Sequence, residues 1–388
     1  MNFKKILGFV AVAALAFAQS EAKAQGEYEM VVEEEATLLA PDSLDYYISY
    51  AETDDILRAA VVMSDIFGKK DMEFTRGLLL GMQQSGLPAN SVSLKLINGE
   101  IPEDSLHYEL DNFDPHVIFS TSDKECPLPL LNYTRSHGNK LFNVFDAKGD
   151  EYLYNNNVYQ LLTPSLYFNS SSANYFLQRY PENVLLVVGD LDPSDTLTRE
   201  LILAWPEEYL MMISLEDLGR FSLDDNISYL IYPVSPSNDD VKAALNETLR
   251  LIGETPTADV RVIGRPSWIS LNDLSNHIAN MDVFIPSKIY FEPTSAAGKR
   301  FISDYNGKYG HSPIRSFPVF AVMGYDVAQY FLPRLVDERK GNEINWQTRN
   351  LLQSFFDMRK SGNGGYYNNG AYILHFTPWG FMQKDILY

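Results

Sequence analysis

The sequence predicts an α/β protein of two lobes, each with a mostly parallel, doubly wound sheet, and a hinge between the lobes. Three observations predict it. The 388 residues exceed one ordinary core and suit two domains of common size. Short apolar runs alternate along the chain with amphipathic segments of helical period. Several of those runs are apolar at every position, as strands buried on both faces of a sheet must be.

The runs are 59–63, 92–97, 116–120, 141–145, 184–188, 210–213, 229–232, 260–263 and 283–285. Helical segments lie between them. After Asp71, read as an N-cap, Phe74, Leu78 and Met82 recur on one face up to Gly86. In 239–252, Val241, Leu245, Leu249 and Ile252 share a side, with Gly253 as the stop. Repeated strand-helix-strand units imply parallel sheets with right-handed crossovers. All these strands in one sheet would make it very wide, so two sheets are expected. The break falls near 162–168, where Thr163-Pro164-Ser165 interrupts the pattern. Helical segments at 294–309 and 320–337 then return the chain to the first lobe. Lobe 1 is accordingly 56–165 with 293–345, and lobe 2 is 166–292 with 346–388. The tail reads as a hairpin, with strands 366–367 and 371–376 around Asn368-Asn369-Gly370, a turn sequence that favours positive φ.

The first residues read as a secretion signal. Lys4 and Lys5 precede an apolar run at 6–17, and Ala22-Lys23-Ala24 is a small-x-small cleavage site. Residues 1–24 are therefore assigned as a signal peptide, with periplasmic localisation. The run is shorter than the roughly 20 residues a membrane span needs, so direct membrane insertion is not expected. Residues 25–55 form an acidic leader with ten acidic residues and no Lys or Arg. It reads as a solvated segment or as a docking strip for a basic partner. The net charge of −20 disfavours nucleic acid and anionic lipid as partners. The one cysteine, Cys126, cannot form an internal disulfide, and it reads as a small buried apolar residue. The six histidines show no zinc-enzyme spacing, and no phosphate-cradling glycine loop is present. No cofactor or metal is expected.

This order of elements resembles the type I periplasmic binding protein family, specifically its branched-chain amino-acid receptor group. The run from Glu73-Phe74-Thr75-Arg76-Gly77 to Gly81 resembles that group's first helix, and Leu162-Thr163-Pro164-Ser165 its first crossover. Gly264-Arg265-Pro266-Ser267-Trp268 resembles its Gly-x-Pro-x-Trp segment. Phe301 and Tyr305 to Tyr309, and then Gly324-Tyr325-Asp326-Val327-Ala328, resemble its last two helices. The likeness is nearest to a branch that often carries LysM modules, but residues 25–55 are too short and too acidic to be one.

Ligands in such sheets bind beyond the carboxyl ends of the strands, which names the candidate ligand-binding residues. Ser64 follows the first strand. Ser120, Thr121 and Ser122 follow the third, where the resemblance implies hydroxyls and N–H groups that hold a ligand carboxylate. Capping and turn formation are the structural alternative for all four. Asp146 stands where the family has small or hydroxyl residues, and it would repel a carboxylate. In lobe 2, Pro233-Val234-Ser235 lacks the acid that the family sets against a ligand ammonium. Asp190, Glu216 and Ser235 follow lobe 2 strands, as ligand contacts or as solvated and capping groups. Trp268 either stacks on a ligand or packs.

Two functions follow. The first is an exported solute-binding protein that captures a small polar ligand, an amino acid or related metabolite, in an interlobe cleft and serves a transporter. The second is a cell-envelope interaction or regulatory module on the same fold, binding a peptidoglycan fragment or an envelope protein. No acid-base or nucleophile pair presents itself in the sequence, so catalysis is not expected.

Overall fold

The computed structural model describes residues 56–387 apart from 89, 125, 147, 193–194, 236, 271–274 and 379. The signal-peptide and acidic-leader assignments lie outside the described residues. The chain divides into two compact units, 56–162 with 290–368 and 163–289 with 369–387.

The first unit opens with β1 (Leu57–Met63), α1 (Lys69–Gln84), β2 (Val92–Asn98), α2 (Glu103–Phe113), β3 (Val117–Ser120), α3 (Leu128–His137), β4 (Lys140–Asn143) and β5 (Val158–Gln160). The second follows with α4 (Ser165–Arg179), β6 (Val184–Val188), α5 (Thr196–Ala204), β7 (Leu210–Ile213), α6 (Leu215–Arg220), β8 (Ser228–Pro233), α7 (Asn238–Glu254), β9 (Asp259–Ile263), α8 (Ser275–Ile278) and β10 (Val283–Ser287). The first unit resumes with α9 (Ala296–Tyr309), α10 (Phe320–Arg339), β11 (Arg349–Asn350), β12 (Phe355–Phe356), β13 (Met358–Lys360) and β14 (Tyr366–Asn368). Strands β15 (Ala371–Phe376) and β16 (Met382–Leu387) end the second.

Each unit holds one seven-stranded sheet. The orders are β13-β14-β5-β4-β3-β1-β2 and β16-β15-β10-β9-β8-β6-β7. Strands β1 to β5 pair in parallel, as do β6 to β10. The all-apolar runs are explained by helices on both faces. In β6, Leu185 and Val187 pack with Phe176, Leu201 and Trp205. Their neighbours Leu186 and Val188 pack on the opposite side with Leu218 and Leu251.

Helices α1 and α10 of the first unit approach through glycines. A methyl group at Gly77 would overlap the carbonyl oxygen of Ala321, and one at Gly324 the carbonyl oxygen of Phe74. Only glycine permits this separation.

Three expectations are corrected. Helix α1 begins at Lys69 with Gly68 as its N-cap, so Asp71 lies inside the first turn. Residues 346–368 belong to the first unit, because β14 pairs in parallel with β5 and β13 adds beyond it. The tail is therefore no hairpin at 368–370: β14 and β15 lie in different sheets. Asn369-Gly370 carries the chain from one unit to the other, and none of 368–370 has positive φ. The hairpin partner of β15 is β16.

Candidate functional site

Parallel strands end at a common edge, and the loops that leave it bring distant residues together. In the first unit, Ser64 follows β1 and Thr121 follows β3. The Ser64 N–H donates to Thr121 Oγ1 at 3.0 Å. The Ser64 hydroxyl donates to Asp71 Oδ2 at 3.1 Å, and the Asp65 N–H donates to the same oxygen at 2.7 Å. One carboxylate in the first turn of α1 thus holds the β1–α1 loop, where the helix dipole favours an anion. Asp71 is fully buried. Burial pushes its carboxyl above the usual carboxylate range, against the Asp65 N–H and the Lys70 charge, which pull it down. Lys70 Nζ lies 3.9 Å from Asp71 Oδ1 and 3.4 Å from Asp123 Oδ1, and 5.8 Å from the centre of the Phe145 ring.

Of the other candidates in this unit, Ser120 is buried at the end of β3, and Ser122 is half-buried one residue past Thr121. Asp146 is buried in a turn after β4. Its Oδ1 accepts the N–H groups of Lys148 (2.8 Å) and Gly149 (3.0 Å), and its carbonyl accepts from Gln160 Nε2. It therefore shapes the turn, where the sequence alone suggested a charge facing a ligand.

In the second unit, Asp190 is exposed after β6. Glu216 is exposed in the first turn of α6 and pairs with Arg220 one turn on. Ser235 shapes the turn before α7, whose N-cap is Ser237: the Ser235 hydroxyl accepts the Ser237 N–H at 3.1 Å and donates to Asp240 Oδ2 at 2.9 Å. Trp268 is buried, and the indole lies so close over Gly264 that a methyl group there would meet the ring at 2.7 Å. The indole is packed at this position.

Sequence reasoning missed a guanidinium contact on this edge. Arg265 Nη2 donates to Asp195 Oδ2 at 2.5 Å and to the Val234 carbonyl at 2.8 Å. Asp195 also N-caps α5 through the Thr198 N–H and accepts the Thr198 hydroxyl at 2.6 Å. Three loops, after β6, β8 and β9, are joined by one guanidinium. The Asp195-Thr196-Leu197-Thr198 capping pattern was the available signal for the acid.

A Ser136, His137 and Asp111 series joins the carboxyl ends of α3 and α2, with Ser136 Oγ 2.9 Å from His137 Nδ1 and His137 Nε2 3.6 Å from Asp111. The serine hydroxyl is held by the carbonyls of Asn132 and Tyr133, and the group sits on the amino edge of the sheet. That is the chemistry of a helix end, and the hydroxyl is not poised for attack. Among the described residues no group of three or more His, Cys, Asp or Glu could hold a metal, and no helix is long and apolar enough to cross a membrane. A cavity of about 350 Å³ lined by Gln84, Arg300, Phe301, Asp304, Tyr325 and Leu352 lies at the far end of α1, about 20 Å along the helix from Asp71.

No family model matches the sequence, and no curated protein matches it. Solved structures do. A branched-chain amino-acid ABC transporter protein from Rhodospirillum rubrum superposes with a TM-score of 0.56 at 13% identity, over 84% of this chain and 99% of its own. An ABC transporter substrate-binding protein from Desulfitobacterium hafniense, solved with Leu, gives 0.50 at 14% identity, over 85% of this chain and 99% of its own. The chain has the two-lobed type I periplasmic binding protein fold.

Proposed function

We propose that this chain is an exported, periplasmic solute-binding protein that captures a small polar molecule, an amino acid or related metabolite, without catalysis, and serves a membrane transporter. The observation that carries this reading is the Ser64–Asp71–Thr121 network at the carboxyl ends of β1 and β3. Open parallel sheets bind ligands at that edge. The network fixes the two loops in advance, so a ligand meets an ordered polar surface and less ordering entropy is lost on binding. The R. rubrum and D. hafniense likenesses support the reading, the second because that protein was solved with Leu.

The test is a melting-temperature screen of the full chain against amino acids, short peptides, related metabolites and muropeptides. A saturable rise with one small solute is expected, because binding to the native state alone stabilises it. Flat curves across the panel contradict the reading. A rise with muropeptides alone moves the chain to the envelope-module reading.

A further inference from the structure

The two large sheets have four outer strands, and one of them is unlike the rest. Strand β2 carries Lys95, β13 carries Arg359 and Lys360, and β16 carries Lys384 and Asp385. Charged side chains on edge strands are a common defence against pairing with foreign strands. Strand β7 reads Leu210-Met211-Met212-Ile213 and has none. It pairs with β6 on one side alone, so its other side presents backbone groups that no strand pairs, apart from the Leu210 N–H, which donates to the Glu207 carbonyl.

Its side chains are also open. Met211 is 40% exposed and Met212 57% exposed. Successive strand residues point to opposite faces, so one methionine is open on each face, while Leu210 and Ile213 pack against the core clusters of the two faces. Leu203 and Tyr209, in the chain leading into the strand, are exposed as well. The apolar strip is bracketed by exposed acids, Glu207 and Glu208 before it and Glu216 and Asp217 after it.

We propose that β7 is a docking edge for an extended segment of a partner protein, with an apolar core and basic residues at both ends, which adds to the sheet as an eighth strand. The backbone ladder supplies affinity, the two methionines adapt to the apolar core, and the acids select the flanks. A second copy of this chain fits worse. It would bring the same four acids, Glu207, Glu208, Glu216 and Asp217, to the ends of the strip, and each chain carries a net charge of −20.

The test uses the full chain and a fluorescent peptide with a Val-Ile-Val-Ile core and two lysines at each end. Anisotropy should show saturable binding that weakens as salt rises. Binding should weaken at least tenfold when the flanks are changed to glutamates, and equally when a proline is set in the core. Met212→Lys and, on the other face, Met211→Lys should each weaken it at least tenfold while circular dichroism stays unchanged, since both positions are open to solvent. The proposal is overturned if the glutamate-flanked peptide binds as well, if both variants bind as the wild type does, or if no binding is seen at about 1 mM peptide. A concentration-dependent dimer in sedimentation that Met212→Lys abolishes also overturns it, and assigns the edge to self-association.

Discussion

The backbone N–H of Ser64 donates to the side-chain oxygen of Thr121 at 3.0 Å, across 57 positions of sequence. One residue leaves β1 and the other leaves β3, adjacent strands of a parallel sheet. The bond locks two loops of the candidate site together, and the Ser64 hydroxyl lies 3.1 Å from Asp71 Oδ2 and 3.5 Å from the Thr121 carbonyl.

Thr121→Val keeps the shape and removes the acceptor. Thr121 is fully buried, so the Ser64 N–H loses its partner in a dry setting. The expected loss is about 1–3 kcal/mol in urea unfolding. Ser120→Ala, one residue earlier, should cost less, because among the described residues no side-chain bond of Ser120 joins the two loops.

Gly324→Ala tests the helix crossing. The added methyl group would overlap the Phe74 carbonyl, which belongs to the backbone and cannot swing aside. About 3 kcal/mol of destabilisation is expected, read as a lower melting temperature. Gly253→Ala, at a helix end where a methyl group meets nothing within 4 Å, is the neutral control.

Asp326 predicts a pH dependence. Its carboxylate is fully buried in α10 and accepts the N–H groups of Leu352, Gln353 and Ser354. Burial outweighs those bonds and raises its pKa from 3.8 to about 6. The folded state therefore holds the proton more tightly than the unfolded state. Its contribution to stability is greatest below the unfolded value and is lost as pH rises toward 6, by about 3 kcal/mol in all. Asp326→Asn should remove that slope between pH 4 and pH 6. Parallel stability curves for the two proteins would contradict it.

Arg265→Lys tests the second unit. Lysine keeps the charge but not the fork that reaches both Asp195 and the Val234 carbonyl. Loss of stability of about 1–3 kcal/mol is expected, and Asp195→Asn should add little to it in the double variant, because the two residues act as a pair.

The sheets were legible because their strands are dense apolar runs, and Ser64 and Thr121 because they stand directly after two of them. Strand β5, Val158-Tyr159-Gln160, was missed: it is three residues long and ends on a polar side chain. The Asn368-Asn369-Gly370 stretch carries a hairpin signal, yet β14 finds a better partner in β5 than in β15. Local turn chemistry lost to sheet pairing there. Arg265 and Asp195 stand 70 positions apart, and no local period joins them. Asp71 was read as a cap because its place three residues inside α1 depends on a glycine start with no side-chain bond.

If the β1 and β3 loops receive a small solute, loss of the Ser64 hydroxyl weakens its binding. Isothermal titration of the best solute from the melting screen into the wild type and into Ser64→Ala should show one site per chain and at least tenfold weaker binding to the variant. Equal affinity for both proteins would contradict it.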